Sequence, residues 1–167
     1  CFDTRSVCRE QVESMGGTFL DLRVPSKENG EGAGGYAKTM SPEYIAAEMD
    51  LFMAQARECN VIISTAAIPG KRAPILLTKE HVEAMQTGSV IVDLAARTGG
   101  NCALTQPGKV IVHKGVTIIG YRQLPCRMAR IASEMYANNL FRLLEHMHGA
   151  KEFTVDASDD IIRNMLV

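Results

Sequence analysis

The sequence predicts an α/β fold with a largely parallel sheet. Short apolar runs that end at turn residues alternate with stretches whose apolar residues recur at helical spacing, and no segment repeats. The run Val61-Ile62-Ile63, continued by Ala66 and stopped at Ile68-Pro69-Gly70, has the pattern of a buried parallel strand and its loop. In open α/β sheets ligands bind beyond the carboxyl ends of the strands. Thr65 to Gly70 is therefore where a cofactor is expected to lie, and the rest of the chain is read around that edge.

Taken in order, Cys1 to Asp3 reads as the last residues of a strand and Asp3-Thr4-Arg5 as the turn after it. Val7 to Met15 carries Val7, Val12 and Met15 among charges, as an amphipathic helix does, and Gly16-Gly17 closes it as a C-cap. Thr18 to Leu22 is expected to be a strand. Arg23 to Gly35 is a long polar loop, of the kind that is usually functional or mobile. Ser41-Pro42-Glu43 then starts a helix with an N-cap serine, a proline at the first position and an acid in the first turn. Ile45, Met49, Phe52 and Ala56 are its expected buried face.

Leu77 to Gln86 reads as another helix with Thr78 as N-cap, and His81 in it is expected to be exposed. Ser89 to Leu94 is a second central strand ending in Asp93, and Gly99-Gly100-Asn101 makes a tight turn beyond it. Val110–Val112 and Val116–Ile119 are shorter strands divided by His113-Lys114-Gly115. Arg127 to His146 is expected to be one long helix with Ile131, Met135, Leu140, Leu143 and Leu144 apolar. The tail is weaker, with Phe153–Val155 extended and Ile161–Val167 structured only against a neighbour. The organisation predicted is a partial nucleotide-binding domain over 1–150, followed by the start of a further segment over 151–167.

Composition narrows the function classes. A formal net charge of -1 gives no steering toward nucleic acid, and 46% hydrophobic residues suffice for a core in a chain of 167. No apolar run approaches bilayer length, and no signal peptide is expected. The five cysteines, Cys1, Cys8, Cys59, Cys102 and Cys126, form no CxxC pair, and the four histidines are equally scattered. Neither a disulfide framework nor a zinc site is expected. The opening Cys1-Phe2-Asp3 reads as mid-element, which predicts a fragment.

Asp3 is the first candidate for chemistry. A carboxylate at the end of the second strand of a dinucleotide-binding fold accepts hydrogen bonds from both adenosine ribose hydroxyls; the competing reading is an exposed aspartate at a turn. Its charge would repel a 2′-phosphate and favour NAD(H), although Arg5 nearby weakens that argument. Gly32, Gly34 and Ala37 satisfy G-x-G-x-x-G/A, but no strand precedes them, so they are rejected as a phosphate loop. A real fingerprint would lie roughly 20 residues before Asp3. The glycines around Tyr36 would suit a lid that closes a tyrosine over a flat ligand, or else an untidy surface loop. Thr65-Ala66-Ala67 offers small side chains at a strand end, useful for close backbone approach or simply for tight packing. Asp93 either orients the cofactor loop or caps its own turn. No catalytic triad, carboxylate pair or metal spacing emerges.

Several stretches together resemble one family. GYAKTMS (35–41), STAAIPGKRAP (64–74) and GSVIVDLAARTGGNC (88–102), with the opening FDTRSVCREQVESMGG and VTIIGYRQLPCRMARIASEMYANNL, resemble the NAD(H)-binding component of proton-translocating NAD(P) transhydrogenase, in the alanine dehydrogenase/transhydrogenase family. The resemblance implies a Rossmann-like, doubly wound domain, here without its first strand and Gly-rich loop. It implies a subunit that binds NADH and passes hydride to NADP on a separate component, coupled to proton movement through a membrane part. It further implies a homodimer, no nucleic acid, and a peripheral position facing the bacterial cytoplasm or mitochondrial matrix.

Asp3, Thr4 and Arg5 would then lie at the adenosine ribose, Gly35 and Tyr36 on a mobile loop closing over the cofactor, and Glu48, Thr65, Ala66 and Ala67 beside it. Relatives often carry leucine where this chain has Ala67. No residue is assigned a catalytic role. Alanine dehydrogenases share the IPG-type loop but resemble the chain less, and a non-catalytic NAD(H)-responsive module is the alternative from another class. With the first strand of a 3-2-1-4-5-6 sheet missing, two half-sheets with unpaired edges are expected. The piece alone should then be poorly stable, or aggregate, and be inactive by itself.

Overall fold

Four runs of four residues form the sheet: β1 (Val61–Ser64), β2 (Val90–Asp93), β3 (Val110–His113) and β4 (Val116–Ile119), in the order β1-β2-β4-β3. The computed structural model describes residues 1–22, 30–32, 38, 40–147 and 155–166. β1, β2 and β4 run parallel, with Ser64 opposite Asp93 and Val92 opposite Ile119, while β3 returns antiparallel along β4. The α/β class and the mostly parallel sheet expected from the sequence are therefore found.

Strand order decides burial. Ile91 of β2 and Val116 and Ile118 of β4, in the two central strands, are fully buried. β1 is parallel as expected, but it is an edge strand rather than a buried one. Val61 and Ile63 remain 55% and 63% exposed, and only Ile62 and Ser64 turn inward. The β3–β4 hairpin closes through Lys114 and Gly115, both with positive φ (46° and 81°), the backbone that matches the twist of a two-residue turn.

Among the described residues three α-helices and a 3-10 turn (Ala96–Thr98) accompany the sheet in the unit Cys1–Arg122. α1 (Cys8–Ser14) ends as the paired glycines predict: Gly17 N donates to Val12 O and Gly16 N to Glu13 O, with Gly16 left-handed. α2 (Pro42–Glu58) starts at Ser41, whose Oγ accepts from Tyr44 N. Its buried residues are Tyr44, Glu48 and Ala56, with Phe52 packed against the core; of the expected face Ala56 and Phe52 turn inward, whereas Ile45 is exposed and Tyr44 and Glu48 are buried instead. α3 (Lys79–Ala84) is capped by Thr78. His81, expected at the surface, is only 4% exposed. Its Nδ1 accepts from Thr78 N at 3.3 Å to complete a capping box, and its Nε2 lies 2.9 Å from Met49 O, which ties α3 to α2.

The core joins Ala56 of α2, Leu77, Val82 and Met85 around α3, Ile91, Val116 and Ile118 of the sheet, and Cys102. Thr18 to Leu22, expected to be a strand, forms none. Among the described residues two bonds join it to the chain start, Cys1 N to Thr18 O and Leu20 N to Cys1 O, in parallel register. An Arg9–Asp21 ion pair, Arg9 stacked 4.8 Å from the Phe19 ring, and an edge-on contact of Phe2 with Phe52 at 5.2 Å hold this region to α1 and α2.

The unit Gln123–Val167 is helical: α4 (Leu124–Arg127), α5 (Ala129–Met147) and α6 (Asp160–Met165). The long helix expected over Arg127 to His146 is found as α5; it starts two residues later because the backbone of Met128 (φ −128°, ψ 43°), which closes α4, leaves the helical region. The apolar positions Ile131, Met135, Leu140 and Leu144 of α5 are exposed. The tail contains a true helix: Asp159 Oδ1 accepts from Ile161 N and Ile162 N, and Ile162 is buried. Phe153 and His148 lie outside the described residues. Among the described residues no helix is long and apolar enough to cross a membrane.

Candidate functional site

Where β1 and β2 end, a buried carboxylate organises both loops. Asp93, the last residue of β2, is fully buried. Its Oδ1 accepts from Ala95 N at 3.0 Å, and its Oδ2 from Asn101 N (2.8 Å), Cys102 N (3.1 Å) and Thr105 Oγ1 (2.5 Å). A carboxylate surrounded by donors is a stable way to bury charge, and here it folds 94–105 back onto the strand end. Gly100 makes that return possible: its φ is 85°, and a Cβ there would sit 2.5 Å from Asp93 Oδ2. The sequence left two roles open for Asp93, capping its own turn and orienting the neighbouring loop. Its bonds to Ala95 and Asn101 serve both.

Asn101 passes the order on to the β1 loop, since its Nδ2 donates to Ala66 O and Pro74 O, both at 2.8 Å. Between those anchors, Ala67, Ile68, Pro69 and Gly70 are exposed beyond the carboxyl end of β1, as is Thr65 just before them. Ala66 is partly buried, and Lys71 N donates to Ile68 O to close the Pro-Gly turn. Small side chains at 65–67 leave this backbone open to a ligand.

Asp3, Thr4 and Arg5 form a second cluster. Asp3 Oδ1 accepts from Arg5 N (2.8 Å) and Arg5 Nε (2.9 Å), and Oδ2 from Arg5 Nη2 (2.8 Å). The Arg5 guanidinium holds the Asp3 carboxyl below its ordinary value, with partial burial opposing, and Asp3 in turn raises Arg5. Gly30 N donates to Thr4 O at 2.9 Å, and a Cβ at Gly30 would come within 2.6 Å of Thr4 Cβ, O and Oγ1. Gly30 thus approaches Thr4 more closely than any side chain would allow, and nothing in its sequence context marks it apart from the other glycines.

Glu48 sits on α2, 8% exposed, and burial pushes its carboxyl above the ordinary value. Among the described residues no hydrogen bond or ion pair reaches that carboxyl. Gly35 and Tyr36 lie outside the described residues. Among the described residues no cluster of ligating side chains is placed to hold a metal ion. All five cysteines are free, and burial raises the Cys102 thiol.

A mostly parallel α/β sheet with ordered, small-residue loops at its carboxyl edge and a carboxylate beside a turn is the arrangement of nucleotide-binding α/β domains. The chain belongs to the family described as alanine dehydrogenase/PNT, C-terminal domain, whose model matches residues 1–167. It is 47% identical to an NAD(P) transhydrogenase subunit alpha from Haemophilus influenzae, over 99% of this chain and 33% of that protein. It is 43% identical to the protein of the same name from Cereibacter sphaeroides, over 99% of this chain and 32% of that protein. A solved structure described as transhydrogenase from Sinorhizobium meliloti superposes with a TM-score of 0.65 at 33% identity, covering 88% of this chain and 36% of that one. The chain spans about a third of the length of these relatives.

Proposed function

We propose that this chain is the NAD(H)-binding segment of a proton-translocating NAD(P) transhydrogenase. The intact assembly would transfer hydride between NADH and NADP held on a separate component, coupled to proton movement through a membrane component. The segment would be a peripheral part of a membrane enzyme, in a subunit that pairs with its own copy. Residues 1–150 would belong to the nucleotide-binding domain, and 151–167 would begin the segment that follows it.

The observation that carries this reading is the ordered loop edge beyond Ser64 and Asp93, in a chain that matches transhydrogenase alpha subunits over 99% of its length. The residues fit a dinucleotide. The Asp3 carboxylate remains partly exposed beside its turn, and its charge opposes a 2′-phosphate. Arg5, the group that would otherwise receive that phosphate, is held by Asp3 at both carboxylate oxygens. The small residues Thr65, Ala66 and Ala67 would let the loop backbone approach the cofactor, Thr4 and Glu48 would line it, and Gly35 and Tyr36 would close over it. No residue here is proposed to take part in bond making or breaking; the role is to bind and orient the nicotinamide nucleotide.

Fluorescence titration of the full-length protein with NADH and with NADPH tests the reading. NADH binding tighter than NADPH is expected. Equal affinity for the two, or turnover of L-alanine with NAD in place of hydride transfer to NADP, would overturn it.

A further inference from the structure

We propose that Asn101 is a positioning residue for the nicotinamide nucleotide, acting through the 66–74 loop; this rests on the proposed NAD(H) role of that loop. The side chain touches no ligand position itself. Its Nδ2 donates to Ala66 O and Pro74 O, the two ends of the loop, so one amide group closes the span like a clasp. Both partners are carbonyls and accept only, which fixes the amide orientation with its nitrogen toward the loop.

Two further observations separate this from ordinary packing. The Asn101 backbone is already fully engaged: its N–H donates to Asp93, and its carbonyl accepts from Leu76 N and Leu77 N. The side chain is therefore not needed to hold its own turn. Moreover, Asn101 is completely buried, and its Oδ1 has no hydrogen-bond partner among the described residues. A buried acceptor left unpaired lowers stability, so an amide here is a poor choice for stability alone. What it supplies is a pair of donors, placed where they fix the ends of an exposed, otherwise lightly bonded loop. Binding to a loop that is already ordered avoids the entropy of ordering it, and that saving appears as affinity.

The loop carries its own reporters. Lys71 N–H and Ala73 N–H are bonded, to Ile68 O and Thr98 O, and their exchange with deuterium reads whether the loop is formed. Asn101→Asp keeps the shape but sets a carboxylate against two carbonyls, and Asn101→Ala removes both donors. In the full-length protein both should raise the Kd for NADH about tenfold and speed exchange across 66–74 in the absence of nucleotide. The thermal midpoint should fall, since Ala66 O and Pro74 O lose their donors, while exchange in β2 and β4 should remain slower than across 66–74. In the assembled enzyme, KM for NADH should rise while kcat stays within about twofold.

Unchanged NADH affinity in folded variants of a wild type that binds NADH overturns the inference and leaves the proposed function standing. A wild type that does not bind NADH overturns the proposed function instead. If neither variant folds, wild-type exchange decides: slow exchange at 66–74 without nucleotide supports a preformed loop, and fast exchange that slows only on adding NADH overturns it.

Discussion

Arg5 clasps both carboxylate oxygens of Asp3, Nε to Oδ1 at 2.9 Å and Nη2 to Oδ2 at 2.8 Å, while its own N–H adds a third bond to Oδ1 at 2.8 Å. An aspartate and an arginine two residues apart thus form a closed two-pronged pair rather than two independent groups. The pair bears directly on cofactor choice: the carboxylate that would meet the ribose also occupies the cation that would meet a 2′-phosphate.

Asp3→Asn should therefore act twice. Replacing charge-assisted bonds by neutral ones is worth about 1.5 kcal/mol, which predicts roughly tenfold weaker NADH binding. Loosening Arg5 should at the same time narrow the preference for NADH over NADPH. Titration of both cofactors against the full-length variant measures the two effects together. Because Arg5 holds the Asp3 carboxyl below its ordinary value, the wild-type affinity should stay flat from about pH 5 to pH 8, as far as Asp3 is concerned.

Glu48 makes an opposite prediction for stability. Its carboxyl is pushed up by burial, so ionising it is harder in the folded chain than in the unfolded one. No penalty therefore exists below the unfolded value of about 4.5; it grows as pH rises through the window up to the folded value, and above that it is constant. Glu48→Gln should raise the thermal midpoint at pH 7 by about 2–4 °C and make no difference near pH 4. If Glu48 also serves the nucleotide, the same variant should bind NADH more weakly, the usual exchange between stability and function. Melting curves at both pH values, with an NADH titration at pH 7, check both parts.

What could be read from the sequence was local. Ser41 and Thr78 announce their helices because a cap is a property of three or four adjacent residues, and Gly16-Gly17 closes α1 for the same reason. The runs at 61–64 and 90–93 reveal strands, but not which of them lies at an edge. That depends on strand order, a non-local fact, and so Val61 and Ile63 proved exposed. His81 looked like a surface residue of a charged helix, and only the approach of Met49 O from α2 makes it a buried link. The Asp93–Asn101 system was half legible: the aspartate and the glycine turn stood out, whereas the reach of the Asn101 side chain to residues 27 and 35 positions away did not.

Two glycines at the site edge should respond differently to alanine. A Cβ at Gly70 (φ 70°) would meet nothing within 4 Å, so Gly70→Ala carries only the left-handed backbone penalty of about 1 kcal/mol. Gly100 has the same handicap (φ 85°), but its Cβ would strike Asp93 Oδ2 at 2.5 Å and Thr105 Cβ at 2.9 Å. Both are members of the buried network that folds 94–105. Gly100→Ala should cost at least about 3 kcal/mol, with unsatisfied donors around Asp93 added to the backbone strain. Chemical denaturation of the two variants side by side separates backbone strain from collision; equal losses would mean that the Asp93 network is more yielding than its distances indicate.

Away from that edge, at the β3–β4 hairpin, a charge cluster makes stability depend on pH. Glu83 of α3 receives Lys114 Nζ at 2.9 Å and His113 Nε2 at 2.9 Å, with Lys79 Nζ at 3.7 Å, and so joins the helix to the β3–β4 turn. Lys114 first, then His113, pull its carboxyl down from 4.5 to about 2. A depressed carboxyl contributes stability that is complete above its unfolded value near 4.5 and disappears as pH falls through the folded value near 2. Glu83→Gln should therefore lower the thermal midpoint at pH 7, and its deficit against wild type should close steadily below pH 4.5. The cluster is solvent-facing, so salt screens it, and the pH 7 deficit should also shrink between about 0.1 M and 1 M salt. Thermal melts at pH 7, 5 and 3 in low and high salt test this. A deficit that persists unchanged at pH 3 would mean that Glu83 contributes by packing its stem, not by its charge.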